Sequence, residues 1–474
     1  MLFLLPSLSL AAFAAPVPQD PAPQEARDER TRFHRAPKPL QKDAVVEEVP
    51  GFLGARRTPH SAERPLAKRF EGDELPLVWE RASGSGYAAP AILGERLVHT
   101  FRRENQEIVE CLRREDGQLL WSHAIPTAYE DPFGFGDGPK CTPLLEGELA
   151  WTFGVEGVLR CFELATGKLR WQRALATEFS LEEAFFGVGA TPLIEGDQLI
   201  VNLGQPKGFS VAAFAKQTGE QLWGVEHAWG ASYAAPIAAE VHGKRKLFVF
   251  AGGKSRPPDG GVLGIDLATR KLDFAFPWRS RTYYSANCAT PIVAGDLLLA
   301  TEAYGAGAVQ LRLHEDGSAT PTWTSREFGL HWATPLLRGE LLLGCAGEKL
   351  PDSELVCLRW RTGEVLWRQR IEWDEPPERT GGTRVLPCTI GRATLIEADG
   401  DVLCLGEWGH VLWLRCDEKG ATVLARTWPF FSREAWAAPV LSRGLLYLAQ
   451  GTVDLKTGER PRLLCYDLRA PTVQ

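Results

Sequence analysis

The sequence has no excess of positive charge and no long hydrophobic run beyond its first residues. Its 474 residues include 53 lysines and arginines against 60 aspartates and glutamates, a formal net charge of -7. Proteins that bind nucleic acid through a basic face have the opposite balance. After residue 15, no apolar stretch is long enough to span a bilayer as a helix. We therefore expect no nucleic acid partner and no transmembrane segment in the mature chain.

Familiar catalytic and metal-binding motifs are also missing. The sequence has no HExxH and no GxSxG, and its Gly-rich run at 134–138 lacks the GxGxxG spacing. The nine histidines are scattered, which favours surface or core roles over a metal site. One hairpin-like run, 407–410, combines a carboxylate and an imidazole, but an ordinary strand turn is the favoured interpretation. We expect no catalytic residue and no metal, and whether the chain is an enzyme stays open.

The ten cysteines lack the spacing of a disulfide framework. There is no CxxC, and the closest pairs are 12 residues apart. Cys111, Cys161 and Cys357 share one place, six residues before the last residue of a repeated turn. Other repeats have a small or apolar residue at that place: Ala213, Gly264 and Leu311. A place that accepts all of these residues is a packing position, so we predict core thiols.

The N-terminus reads as a targeting segment followed by a polar stretch. Residues 1–15 are apolar and include Ala12-Phe13-Ala14, an A-x-A-like cleavage site, although no basic residue precedes Arg27. No cysteine follows that would indicate a lipid anchor. We predict a signal peptide and export to the periplasm or the cell exterior. Residues 16–49 are predicted to be a flexible linker. Residues 50–74 are predicted to be an extension that lies across one face of the main domain.

Two short motifs recur from residue 75 onward. The first is Ala-Pro or Thr-Pro followed by an apolar run, and a degenerate copy has Leu395 in place of the proline. The prolines are Pro90, Pro143, Pro192, Pro236, Pro291, Pro335 and Pro439. The second motif is a Thr-Gly or Asp-Gly turn that leads to Trp, and Phe274 closes one weaker copy. The predicted structural tryptophans of the blades are Trp79, Trp121, Trp171, Trp223, Trp323 and Trp367.

These motifs predict an all-β fold, an eight-bladed β-propeller of four-stranded antiparallel blades. The first motif opens each unit, and its eight copies, called openers, are 44 to 60 residues apart. This spacing leaves room for four short strands in each unit. The last unit stops near Tyr466 without its Trp-bearing strand, while an unpaired copy of that strand ends at Trp79. We therefore predict one propeller domain, 75–474, closed by the N-terminal strand completing the last blade, which leaves no open edge.

The Thr-Pro openers and Thr-Gly-x-x-x-Trp closers resemble the PQQ-like, or quinoprotein alcohol dehydrogenase-like, repeat over about residues 75–468. Local runs such as 138–143, 186–192, 232–236 and 286–291 are similar to those of exported BamB-like repeat proteins. The resemblance implies an eight-bladed propeller with a central channel. The dehydrogenases of this fold hold their quinone with adjacent bonded cysteines and calcium, and this sequence has no adjacent cysteine pair and no CxxCH haem motif. The cofactor is therefore not implied along with the fold.

Residues directly before the openers are expected to surround one mouth of the channel. They are rich in aromatic and hydrogen-bonding groups, which suit a planar or anionic ligand. The candidate ligand residues are Tyr87, Lys140, Tyr233, Asn287, His331, Trp332, Arg392 and Trp436. The structural alternative is that the aromatics simply plug the channel.

Three functional hypotheses follow. The first is a non-catalytic, monomeric scaffold that binds an envelope protein or a small ligand and needs no cofactor. The second is a divergent dehydrogenase in which Lys140, Asn287, Arg392 and Trp436 line the cofactor, and PQQ and calcium are expected only in this case. The third is a polysaccharide-binding module that uses exposed tryptophans.

Overall fold

The computed structural model describes residues 29–70, 74–182, 184–205, 207–348 and 352–471. It confirms the predicted fold: eight blades of four antiparallel strands stand in a ring. The first four blades, numbered along the chain, each run from the inner to the outer strand. Blade 1 comprises Ala91–Leu93, Arg96–Arg103, Gln106–Arg113 and Leu119–Pro126; blade 2 comprises Leu144–Glu146, Leu149–Phe153, Val158–Glu163 and Leu169–Ala174; blade 3 comprises Leu193–Glu195, Gln198–Asn202, Phe209–Ala215 and Gln221–Glu226; blade 4 comprises Ile237–Val241, Lys244–Ala251, Gly261–Asp266 and Lys271–Pro277.

The second half of the ring repeats this plan. Blade 5 comprises Ile292–Ala294, Leu297–Glu302, Gly307–Leu313 and Ala319–Ser325; blade 6 comprises Leu336–Arg338, Leu341–Ala346, Glu354–Arg359 and Val365–Gln369; blade 7 comprises Thr394–Ala398, Asp401–Leu405, Val411–Cys416 and Ala421–Thr427; blade 8 comprises Val440–Ser442, Leu445–Ala449, Arg462–Asp467 and Leu77–Ala82. A separate hairpin, Glu372–Glu375 with Leu386–Thr389, lies between blades 6 and 7 in sequence. The two helices of the described residues, Leu175–Glu178 and Pro377–Thr380, are one turn each, and none is long enough to cross a membrane.

The ring closes as the sequence predicts. The strand Leu77–Ala82 pairs antiparallel with Arg462–Asp467, placing Trp79 opposite Cys465. A further strand, Thr31–Phe33, then pairs with Leu77–Ala82 on its outer side. Blade 8 is therefore built from both ends of the chain, and separating these ends would break the ring.

The closing tryptophans join neighbouring blades through one repeated contact. The indole of Trp121 in blade 1 covers Gly167 in the turn of blade 2, and its N–H donates to the Leu164 carbonyl at 2.9 Å. A Cβ on Gly167 would lie 2.6 Å from that ring. Equivalent contacts join Trp79 to Gly117, Trp171 to Gly219 and Trp323 to Gly363. Glycine is therefore required at this position for two reasons: its φ is positive, and a side chain would collide with the indole.

The interface between blades 3 and 4 departs from this pattern because the turn residue changes. Blade 4 has Arg270, at a φ of 60°, where the turns of blades 1, 2, 3 and 6 have glycine. The Trp223 indole N–H accordingly donates to the Gln198 side chain of its own blade at 2.7 Å.

The ten cysteines are free thiols, as the spacing predicts, and seven of them lie in strands of the blades. Nine of the ten are buried, and Cys288 is half-buried. Cys111, Cys161 and Cys357, which share one place in the repeat, are each 0% exposed.

The N-terminal extension crosses the ring and closes one end of its channel. The Val49 carbonyl accepts a hydrogen bond from the inner strand of blade 1, at Ile92, and the Pro50 carbonyl from that of blade 2, at Leu145. Farther along, the short strand His60–Ser61 pairs parallel with the inner strand of blade 7. The sequence predicted a flexible linker over 16–49, but residues 29–49 contact the ring. The signal peptide and residues 16–28 lie outside the described residues.

Arg57 occupies the centre of this crossing. It is 7% exposed, and its guanidinium donates to the backbone carbonyls of Thr191, Pro192 and Pro236. Among the described residues no carboxylate forms an ion pair with it. Burial lowers the pKa of Arg57 to about 9. Backbone dipoles, rather than a counter-ion, therefore hold this cation in the channel.

Candidate functional site

The opposite end of the channel opens into a cavity of about 540 Å³. Its wall is formed where the chain enters the inner strand of each blade, so every blade contributes residues from the same structural position. Its floor is formed by Phe52, Leu53 and Pro59 of the extension. Seven of the eight candidate residues line it: Tyr87, Lys140, Tyr233, His331, Trp332, Arg392 and Trp436.

Asn287 is the exception. Its side chain is 1% exposed and donates to the Ala251 carbonyl at 3.0 Å, inside the ring wall. Its neighbours Ala286 and Cys288 line the cavity instead. Successive residues of an extended chain point to opposite sides, so a shift of one position decides which side chain reaches the cavity.

An arginine packed against two adjoining indoles forms one side of the cavity. The guanidinium carbon of Arg392 lies 4.5 Å from the ring centroid of Trp332 and 5.4 Å from that of Trp436. Its Nε donates to Glu407 at 3.1 Å, its Nη2 donates to the same carboxylate, and its Nη1 donates to the Glu348 carbonyl. The carboxylate compensates the charge and fixes the plane of the guanidinium. Arg392 therefore holds the two indoles in place as a rigid wall.

A second hydrogen-bonded group continues this wall. The Tyr87 hydroxyl donates to Glu434 at 2.7 Å, and its ring lies 5.0 Å from that of Trp436. Burial raises the pKa of Glu434, and the neighbouring carboxylate of Glu407 adds to the effect. Phe135 covers the Trp436 ring from the loop above, at 5.8 Å between centroids. These contacts leave an aromatic surface with little free charge.

His331 is a neutral hydrogen-bonding group in this site. Its Nε2 lies 2.6 Å from the hydroxyl of Tyr304, which also lines the cavity. Burial, followed by repulsion from Arg392, lowers the pKa of His331 to about 3. Burial likewise raises the pKa of Tyr304 to about 12. Neither group changes protonation state near neutral pH, so the pair can orient a ligand but has little capacity to move a proton there.

Lys140 supplies the cavity's uncompensated cation. Its Nζ donates to the carbonyls of Gly136 at 3.2 Å and Gly138 at 3.4 Å, and lies 5.5 Å from the centroid of the Tyr129 ring. Within the described part of the chain it has no carboxylate within ion-pair distance. Burial lowers the pKa of Lys140 to about 8, although Asp131 and Asp137 act in the other direction.

Several lining residues escaped the sequence analysis. Phe135, Phe186, Tyr284 and Tyr304 reach the cavity from loops between strands, where no periodic pattern marks them. Glu407 had a signal, since the run 407–410 stood out for its carboxylate and imidazole. The structure separates the two: Glu407 pairs with Arg392, whereas the imidazole at position 410 is buried against the Trp428 ring.

The residues present do not form a calcium site of the kind that quinone dehydrogenases use. Within the described ranges, no three His, Cys, Asp or Glu residues come close enough together to hold a metal ion. Two carboxylates of the mouth are engaged, with Glu407 bound to Arg392 and Glu434 to Tyr87, and Glu348 is the carboxylate that lines the cavity itself. Only the stacking surface of Trp332 and Trp436 would suit a planar quinone.

The fold and the mouth cavity place this chain among the PQQ-like propellers. A family model described as "Outer membrane protein assembly factor BamB" matches residues 105–369, more than half of the chain. The chain therefore belongs to that family. No curated protein matches it.

Solved structures support the same fold at low identity. BamB from Moraxella catarrhalis is 16% identical with a TM-score of 0.53, and the match covers 85% of this chain and 100% of that one. Quinohemoprotein alcohol dehydrogenase from Comamonas testosteroni is 11% identical with a TM-score of 0.59, covering 90% and 81%. A europium-containing methanol dehydrogenase is 10% identical with a TM-score of 0.62, covering 89% and 98%. Identities this low show the fold alone.

Proposed function

We propose that this chain is a non-catalytic, exported propeller that binds a small organic ligand in the mouth cavity. The observation that carries the proposal is the cavity itself: about 540 Å³, walled by aromatic rings, with the amine of Lys140 in its lining and, among the described residues, no carboxylate within ion-pair distance of that amine. Pockets of 300–1,000 Å³ with apolar walls and few polar groups are the usual form of small-molecule sites. A channel that was merely plugged by its aromatics would leave no such volume.

The form of the cavity indicates the ligand. The indoles of Trp332 and Trp436 lie 4.6 Å apart at an interplanar angle of 40°, and Arg392 fixes both. Aromatic faces at these positions favour a flat molecule, and Lys140 favours a negative or carbonyl-bearing group on it. Because the extension closes the other end, the ligand enters and leaves through the mouth.

Export is supported by two independent observations. The apolar residues 1–15 with their small-residue end are typical of a signal peptide. The family description names an outer-membrane assembly factor, which works in the cell envelope. We propose the periplasm or the cell exterior as the site of action and a monomer as the working form.

A protein partner is the second candidate, favoured by the rim. Phe133 is 50% exposed and Tyr284 61% exposed at the loops around the mouth. Exposed aromatic side chains of this kind are enriched at protein interfaces, and the family description and the BamB structure are consistent with such a role. In this case an aromatic side chain of the partner would enter the cavity.

The ligand proposal is tested by titrating the purified protein with planar aromatic carboxylic acids, and with PQQ in the presence and absence of calcium. Calorimetry and tryptophan fluorescence report binding, because Trp332 and Trp436 stand in the wall. We expect at least one aromatic acid to bind, and Trp436→Leu to weaken that binding about tenfold. Leu455→Ala, an exposed position 48% accessible in blade 8, is the matched control.

The alternative outcomes are distinct. Binding of PQQ that requires calcium would favour the dehydrogenase hypothesis over the one proposed. Binding that Trp436→Leu leaves unchanged would remove the cavity as the site, and no binding by any aromatic acid would contradict a small-ligand function.

A further inference from the structure

The Lys140 amine stands in an environment unlike that of the lysines that pair with carboxylates. Lys216 donates to Glu146, and Lys246 is held between Asp266 and Asp273, so the pKa of both is raised. Lys140 lines a cavity and has only backbone carbonyls as acceptors. The protonated amine therefore has a third N–H that can donate to a molecule in the cavity. The neutral amine has a lone pair that can react with such a molecule.

From this geometry we infer that Lys140 binds a carbonyl-bearing ligand covalently, as a reversible imine, in the cavity that the proposed function assigns to the ligand. The inference rests on that proposed function and names the ligand class: an aromatic aldehyde or ketone. Lysine amines in desolvated pockets are the usual partners of carbonyl compounds in such chemistry.

The step is balanced without an oxidant or reductant. The Nζ lone pair attacks the carbonyl carbon, a C–N bond forms, and the carbonyl π electrons move to oxygen. Two protons from nitrogen end on that oxygen, which leaves as water when the C=N bond forms. The reverse hydrolysis releases the ligand unchanged, so the protein captures its ligand without turnover.

The surroundings of Lys140 favour this step over simple ion pairing. The neutral amine is the reacting form, and burial with a pKa of about 8 makes about one quarter of Lys140 neutral at pH 7.5, against about one thousandth of a lysine at its ordinary pKa. The charged and titratable groups that face it are Asp131, Asp137, Tyr129 and Cys141. The two aspartates raise the pKa and the burial lowers it, with burial the larger effect.

The test uses the full-length mature protein with para-carboxybenzaldehyde and sodium cyanoborohydride, which reduces an imine to a stable amine. Peptide mapping by mass spectrometry then reads out every lysine in one sample. We expect Lys140 to be labelled at least tenfold faster than Lys254, which lines a neighbouring cavity, with the Lys140 yield rising through a midpoint near pH 8. Lys140→Arg should abolish this label, and Lys254→Arg should leave it unchanged.

Labelling spread over the exposed lysines, with no preference for Lys140, would overturn the inference, and the wild-type map decides this even if a variant misfolds. Para-(hydroxymethyl)benzoic acid has no aldehyde or ketone and cannot form an imine. It therefore distinguishes covalent capture by Lys140 from simple binding of a ligand in the mouth cavity. If it binds and the aldehyde gives no Lys140 adduct, covalent capture is wrong but the ligand site stands. If neither molecule binds, the proposed function fails as well.

Discussion

The contacts between the closing tryptophans and the turns of neighbouring blades form an outer belt around this propeller. The outer belt and the central mouth are built on opposite principles. In the belt one contact recurs at four interfaces, an indole over the glycine of the neighbouring turn, as at Trp121 and Gly167. At the mouth the same structural position carries side chains of very different chemistry, from Lys140 to Trp436. Repetition supplies a closed, rigid ring, and departure from repetition supplies the site.

This contrast also concerns the two ends of the channel. One end is filled by the chain's own extension, whose Arg57 is bound by backbone carbonyls, and the other is an open aromatic cavity. A ring with two equivalent ends would be a passage. With one end closed it is a pocket, which is why we assign binding to the mouth.

The largest expected effect comes from breaking the belt where the ring closes. Trp79 is 0% exposed and packs on Tyr447, so Trp79→Ala should lower the free energy of unfolding by about 3–5 kcal/mol. Trp332→Ala, at the half-buried mouth, should cost about 1–2 kcal/mol. Denaturant unfolding of both variants measures the difference. Equal losses would mean that belt and mouth are equally structural.

The next effect isolates the glycine contact within the belt. Gly167→Ala places a methyl group against the Trp121 indole and should cost about 2–4 kcal/mol. Gly196→Ala has a similar positive φ with nothing within 4 Å, so it should cost only about 1 kcal/mol of backbone strain. If thermal and denaturant unfolding show the two variants alike, steric fit to the indole is not what the glycine provides.

A smaller effect concerns pH. Burial lowers the pKa of His99 in blade 1 to about 4, as it does for His410, and that of His331 at the mouth to about 3. The unfolded chain takes up these protons near pH 6.5 and the folded chain does not, so stability should fall as pH drops from about 6.5 towards 4.

His99→Gln should remove about 1–2 kcal/mol of that loss between pH 7 and pH 5. Unfolding free energies measured at both pH values give the change, and His314→Gln, at a half-buried position where the imidazole bonds to the Thr320 hydroxyl, serves as the control. If the stability of the wild-type protein is constant over this range, these imidazoles are not buried in their neutral form.

The smallest expected effect on stability is at the rim. Tyr284 is 61% exposed, so Tyr284→Ala should change the free energy of unfolding by less than about 0.5 kcal/mol. Because its ring borders the cavity, ligand affinity should fall about threefold to tenfold. A large loss of stability with unchanged affinity would reverse the proposed division between scaffold and site.

Much of the fold was predictable because its determinants are local and repeated. A Thr-Gly turn followed by Trp has the same meaning in every unit, and Trp79 without a partner unit predicted the closure that its pairing with Cys465 confirms. The crossing of the channel by residues 49–61 was expected only as an extension over one face of the domain, without any particular contact. The Val49 and Pro50 carbonyls accept hydrogen bonds from strands far away in sequence, and a polar, proline-rich stretch does not reveal such contacts.

The site was predictable as a place more than as a set of side chains. Counting back from each opener identified seven lining residues, since each inner strand enters the ring at the same point. It failed for Asn287, which points into the wall, and it could not find Tyr304 or Glu407, which belong to neighbouring turns. Side-chain direction and loop position depend on register and packing, which a motif count does not contain.

The number of blades, the antiparallel plan of each and the closure of the ring can be read from the amino-acid sequence, because these follow from short motifs that act within one unit or between neighbours. The folded chain was needed to show that the channel is a pocket with a floor, that Arg392 packs against two indoles, and that Lys140 stands without a carboxylate partner. Those features arise where distant segments meet at the axis, and burial there sets the charge and the hydrogen bonding of groups whose identity alone says little.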